Sequence, residues 1–269
     1  MVNEALTTPE WRKAYADSLV QRRGWMSLVS MTWLRDGEIA PLRTRSVRQG
    51  EPLGTVTRLG DAMVFTPIVG KPITVNGMSV RCWELTSDTN GNPDVIEAGP
   101  DTWVFIKRGD RLGVRGWNVN HGKTLSRTGL RWAPIRQHLN FLAKWVPYRS
   151  PRLVTIINVL GQRTPTPMHG YAEFRVGGRL YRLEGTETQE QGQVFFNFRD
   201  ASCNTVAYQP GRFLDATITS SGRIRLDFNR AYNPPCAYTS FATCPLPHKE
   251  NLLKVAIEAG ELRFPGHSH

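Results

Sequence analysis

The feature that most constrains this chain is the rhythm of its turn signals after Gly37. Asn76-Gly77, Asn90-Gly91 and Arg108-Gly109-Asp110 punctuate short apolar runs at 62–68, 73–75, 80–85 and 103–107. A second series follows at 153–160, 171–176, 179–184, 193–198, 212–217 and 223–228. Runs this short, with turns every 8 to 12 residues or so, roughly the spacing of antiparallel sandwiches and barrels, predict an all-β body. No helix-length pattern separates them, which argues against a doubly wound parallel sheet. The predicted fold is mostly β, in sandwich or barrel modules.

One helix is expected ahead of this texture. Thr8-Pro9-Glu10 supplies a hydroxyl N-cap, a proline at the first helical position and an acid in the first turn. Trp11, Tyr15, Leu19 and Val20 recur at helical spacing, and Gly24 ends the element. The apolar stretch 25–34 is expected to dock this helix on a sheet, with its tryptophans as core anchors. Three segments result. Residues 1–36 hold the helix and docking stretch, and 37–150 form a β-sandwich-like module. Residues 151–269 form a barrel or sandwich module, with the boundary near Pro147 and Pro151.

Charge separates partner classes. The chain has 269 residues and a net charge of +11. Eleven basic residues lie between Lys107 and Arg152 with Asp110 as the only acid, so this stretch carries +10. Trp117, Trp132, Phe141, Trp145 and Tyr148 interleave with them. Cations and rings together can hold nucleic acid. A solvated basic face with the rings turned inward, or a site for a small anion, explains the pattern with fewer assumptions. Nucleic acid is therefore the disfavoured partner. No run is long and apolar enough for a membrane-spanning helix, and the first residues lack a signal-peptide core, so a cytoplasmic protein is expected. The four cysteines (Cys82, Cys203, Cys236, Cys244) do not make a disulfide scaffold.

Strand alternation supplies site candidates. In 223–229, Ile224, Leu226 and Phe228 face one way and Arg223, Arg225, Asp227 and Asn229 the other. In 193–199, Val194, Phe196 and Phe198 oppose Phe195, Asn197 and Arg199. If the two strands were neighbours, Asn197, Arg199, Asp227 and Asn229 would converge on one polar patch, so Arg199 and Asp227 are expected in one pocket lining.

Residues 227–251 read DFNRAYNPPCAYTSFATCPLPHKEN. Pro234, Pro235, Pro245 and Pro247 fix an irregular backbone, and Tyr232, Tyr238 and Phe241 anchor it. This segment resembles the signature of a bacterial and fungal family known as domain-of-unknown-function family 1684. The matching positions include Asp227, Asn229, Tyr232, Asn233, the pair Pro234-Pro235, Cys236, Cys244, Glu250 and Asn251. Gly24-Trp25-Met26-Ser27-Leu28, Phe198-Arg199-Asp200-Ala201 and Gly211-Arg212-Phe213 also look like family segments, and the resemblance spans most of the chain. His248 departs from it, standing where the family pattern carries proline. The resemblance implies no established activity. Ile73-Thr74-Val75-Asn76-Gly77 loosely resembles part of a forkhead-associated sandwich. The Gly-Arg pair and Ser-x-x-His motif are missing, so phosphopeptide recognition is not implied.

No zinc-knuckle cysteine spacing, GxSxG elbow, P-loop or GxGxxG sequence occurs, so no metal and no bound organic cofactor is expected. A polar set remains. Asp227, Glu250 and Tyr232 are the catalytic candidates, the carboxyls for acid–base work and the phenol as proton donor or oxyanion partner. Asn197, Arg199, Arg212, Tyr208, Asn229 and Tyr238 are the substrate-binding candidates, with the arginines as anion clamps. The competing account makes Arg199–Asp200 and Arg212–Asp227 ion pairs that fasten strands to the proline loop. The expectation is a cofactor-independent hydrolase or lyase acting on a small anionic molecule. The alternatives are a non-catalytic binding or interaction module and a flavin-binding split-barrel-like protein.

Overall fold

The computed structural model describes residues 6–44 and 50–266. The His267-Ser268-His269 tail, expected to fray, and the first residues, read for a leader, lie outside the described residues. The chain is mostly β and forms two compact units, one made of residues up to Ala16 together with Thr128 onward, the other of Asp17–Arg127.

Helix α1 spans Thr8–Leu19. Its cap lies one residue earlier than expected. Thr7 donates both its N–H and its hydroxyl to Glu10 Oε2, each at 2.7 Å, which is capping-box geometry with an N3 acid. Thr8 is thereby released for a tertiary bond. The helix docks on the C-terminal part of the chain through Trp11 and Tyr15. Trp11 and Tyr15 stack at 5.3 Å between ring centroids and meet Trp132 and Tyr232.

In the Asp17–Arg127 unit the strands are β1 (Leu28–Leu34), β2 (Ile39–Arg43), β3 (Pro52–Leu59), β4 (Ala62–Pro67), β5 (Thr74–Val75), β6 (Trp83–Glu84), β7 (Val95–Ala98), β8 (Asp101–Arg108) and β9 (Arg111–Asn118), followed by helix α2 (Val119–Ser126). Two antiparallel sheets, ordered β1-β9-β8-β7-β5 and β2-β3-β4-β6, enclose one core that includes Val56, Met63, Phe65, Val75, Ile96 and Phe105. Asn76 and Gly77 both adopt positive φ (51° and 78°), the turn that Asn-Gly predicts.

The other unit carries β10 (Asn140–Ile157), β11 (Arg163–Val176), β12 (Arg179–Glu187), β13 (Gln193–Phe198), β14 (Arg212–Ile218) and β15 (Arg223–Asp227), which close into a six-stranded barrel. The expected boundary near Pro147 and Pro151 falls inside β10. The pairing with β11 shifts register between Pro147 and Arg152, and that irregularity lets the strand continue past two residues without N–H groups. Alternation holds as predicted: Val194, Phe196, Phe198, Ile224 and Leu226 fill the barrel.

Barrel closure depends on the chain beyond the strands. β12 and β13 pair only at Thr186–Phe195 and Glu187–Val194. Where they part, Asn251 substitutes for the missing ladder. Its side chain accepts from Glu184 N at 2.8 Å and donates to the carbonyls of Glu184 and Asn197, each at 2.9 Å. Arg199 N then bonds Asn251 O, and Leu253 N bonds Arg199 O. The proline-rich segment is therefore a structural part of the barrel wall.

Candidate functional site

The barrel's outer face opens where β14 and β15 diverge. They pair at Thr217–Arg225 and Ile218–Ile224. Continuing that register would set Asp215 opposite Asp227. That pair does not form: Asp227 keeps its pairing with Asn140 of β10 on the other edge of β15, and Phe213 of β14 pairs with Tyr232 of the returning chain. The gap is a cavity of about 350 Å³ lined by Asn140, Asp215, Ala216, Thr217, Arg225, Asp227 and Arg230. Asp215, Thr217, Arg225 and Asp227 project outward because the intervening positions Leu214, Ala216, Ile224 and Leu226 are core.

The two carboxyls are in different states. Asp227 is committed: it caps the turn after β15 by accepting from Asn229 N (3.1 Å) and Asn229 Nδ2 (2.8 Å). It also accepts from Thr8 Oγ1 at 3.1 Å and faces Arg230 Nε at 3.4 Å. Asp215 has one bond, from Tyr232 OH at 2.8 Å. Burial raises its pKa above the ordinary carboxylate value, and the tyrosine bond only partly counters this. Burial and the neighbouring Asp215 push Tyr232 well above the usual phenol range, so it remains a donor. Among the described residues, Arg225 is exposed and makes no ion pair, and the buried atoms Asn140 Oδ1 and Thr217 Oγ1 have no hydrogen-bond partner.

Residues 126–262 match the family model described as Protein of unknown function (DUF1684), which covers the barrel and its proline-rich loop. The chain belongs to this family. Among curated proteins, none matches the sequence. The solution NMR structure of an uncharacterized protein from Haloarcula marismortui is similar at 26% identity, over 51% of this chain and 78% of that one, with a TM-score of 0.42.

The DUF1684 signature residues otherwise serve packing. Asn229 is buried and binds Arg136 N and O through its amide. Tyr208 donates to Cys236 O at 3.1 Å. Tyr238 donates to the buried Glu261 at 2.7 Å, and Glu261 also accepts from Asn233 N at 2.8 Å. Burial pushes the Glu261 carboxyl up to about 7. Cys236 N donates to Cys244 Sγ at 3.1 Å, and none of the four cysteines is in a disulfide.

The expected convergence of Arg199 with Asp227 does not occur, because β14 lies between their strands. Both face outward, but Phe195 and Phe213 lie between them, meeting edge-to-face across β13 and β14 at 4.8 Å between ring centroids. Arg199 binds Gln209 O and Asn204 Oδ1, and Asn197 donates to Pro245 O. Arg212 is fully buried. It pairs with Asp200 at 2.7 Å and reaches the carbonyls of Ile257 and Ala259, so it faces no cavity. The partner assignments expected for the two arginines also change, since Asp200 belongs to Arg212 and Asp227 to Arg230. Glu250 is exposed beside Lys249, away from the cavity lining.

Asp215 is not among the expected site residues, although alternation in 212–217 carried the signal. Phe213, Asp215 and Thr217 lie opposite the core residues Leu214 and Ala216. A second polar group also emerged: Glu184 accepts from Tyr148 at 2.6 Å, binds Arg152 and stands 3.2 Å from His248 Nε2. Burial outweighs Glu184's attraction and lowers the His248 pKa, while burial and the Glu184 bond lift Tyr148 to about 12.

The basic stretch does not form one free set. Lys107 to Arg127 belong to one unit and Arg131 to Arg152 to the other. Lys107, Arg108, Arg136 and Arg152 are in ion pairs, and Arg111 and Arg115 lie over Trp33 and Trp25. Among the described residues, no helix is long and apolar enough to cross a membrane, and no cluster of His, Cys, Asp and Glu suits a metal ion.

Proposed function

We propose that the protein is a cofactor-independent acid–base enzyme, of hydrolase or lyase type, acting on a small anionic molecule held in the cavity between β14 and β15. The observation that carries this reading is Asp215: a carboxyl with a raised pKa, one tyrosine donor, and an unpaired arginine in the same lining. In its neutral form Asp215 can give a proton to a leaving group, with the Tyr232 hydroxyl stabilising the carboxylate left behind. Arg225 draws the substrate's anion to the mouth. Asp227 holds the floor of the site through Arg230 and the α1 N-terminus. The expected roles of Arg199, Arg212 and Glu250 pass to Arg225, Arg230 and Asp215.

The test is turnover with small phosphate and carboxylate esters and hydroxy acids. Asp215→Asn is expected to lower turnover by about 100-fold or more while the melting temperature holds. Unchanged turnover in that variant would remove Asp215 from the chemistry. A non-catalytic binding module is the second reading, favoured by the four contacts that occupy Asp227. A yellow purified protein would instead favour the flavin alternative. The free thiols accord with a reducing, cytoplasmic location.

A further inference from the structure

The cavity's unpartnered atoms narrow the ligand's chemistry, an inference that rests on the proposed site. Asn140 Oδ1 and Thr217 Oγ1 are buried and make no hydrogen bond, and both line the cavity that holds Arg225. A buried amide or hydroxyl without a partner is costly, so the occupant must supply polar atoms there. The partner must also suit either orientation of the Asn140 amide, and a hydroxyl, both donor and acceptor, does so.

The spacing between these groups is set by the ladder. Thr217 is the cross-strand neighbour of Arg225. Asn140 pairs with Asp227, two residues along the same face. Direct cross-strand neighbours stand about 5 Å apart and diagonal ones about 7–8 Å. The anion site at Arg225 is thus within one short carbon chain of each hydroxyl site. Asp215 adds a third hydroxyl-directed group, tied to Tyr232 on one oxygen. A volume of about 350 Å³ admits a molecule of this size.

We propose that the site takes a polyhydroxylated small anion, a sugar acid or sugar phosphate, whose charge meets Arg225 and whose hydroxyls meet Asn140, Thr217 and Asp215. Hydroxyl recognition separates this class from simple carboxylates, and Arg225 separates it from neutral sugars.

Calorimetric titration of the full chain tests this with four probes: gluconate, hexanoate, glucose 6-phosphate and glucose. Gluconate or glucose 6-phosphate is expected to bind at least about tenfold more tightly than hexanoate and glucose. Preference between the two anions identifies carboxylate or phosphate as the charged group. Thr217→Val keeps the shape and removes the hydroxyl. It should weaken the bound anion about tenfold, leave hexanoate unchanged, and hold or raise the melting temperature. Hexanoate binding as well as gluconate would overturn the hydroxyl inference and leave the anion site standing. Glucose binding as well as gluconate would overturn the anion site, and binding of none of the four would overturn both.

Discussion

Two arginine–aspartate groupings in the same unit show how one pair of residue types serves opposite ends. At the Arg212–Asp200 pair the guanidinium is enclosed, and the carboxylate accepts from Ser202 N, Ile257 N and Arg212. Burial alone would raise the Asp200 pKa, but these donors outweigh it and the net shift is downward. At the cavity, Arg225 is exposed without a partner, and Asp215 has one donor and a raised pKa. The first grouping is closed by the C-terminal segment that docks on it; the second is open because β14 and β15 part. Satisfied charges fasten a fold, whereas unsatisfied ones are available to a ligand.

The largest effect should follow from breaking the closed pair. Asp200→Asn leaves Arg212 buried without its counter-charge and is expected to cost about 3–5 kcal/mol by urea denaturation. A loss under about 1 kcal/mol would mean that the pair is not a fastening.

The pH dependence should also separate charge sets. Asp200, depressed in the folded state, contributes stability at neutral pH that is lost as pH falls through its folded pKa. Glu261, lifted to about 7, does the reverse: its contribution is complete below the ordinary glutamate pKa and lost as pH rises through about 7. That span corresponds to roughly 3 kcal/mol. Glu261→Gln should remove the decline in stability between the ordinary glutamate pKa and about pH 7, and an unchanged profile over that window would rule Glu261 out as its source.

Within the cavity, the two carboxyls should respond differently. Asp227→Asn breaks the contact with Arg230 and is expected to lower stability by about 1–3 kcal/mol. Asp215→Asn removes a carboxyl whose charged form is disfavoured by burial, so stability at pH 8 should hold or rise. Equal destabilisation in both would make Asp215 a second fastening. The smallest effect is expected at Arg225→Gln, within about 0.5 kcal/mol by thermal melt, because no fold contact is lost. A larger loss would show that Arg225 supports the strand.

Alternation correctly sorted the inward and outward residues of β13 and β15, because the side-chain period of a strand is local. The same reasoning put Arg199 beside Asp227 only by assuming adjacent strands, and adjacency is a long-range property. β14 intervenes with Phe213 in the gap. Arg212 shows a similar limit. Its charge suggested a clamp, whereas its environment is a set of carbonyls more than forty residues along the chain.

The β character, the N-terminal helix, the Asn76-Gly77 turn and the family are legible in the residues alone, since each depends on residues close together or on one continuous signature. Which carboxyl is available emerges only from the folded contacts. Asp227 and Asp215 both occupy outward strand positions and differ by what the fold brings to them: Thr8, Arg230 and an Asn229 cap for one, a single tyrosine hydroxyl for the other. Charge state and availability follow from burial and donor count, and these are fixed only when distant segments meet.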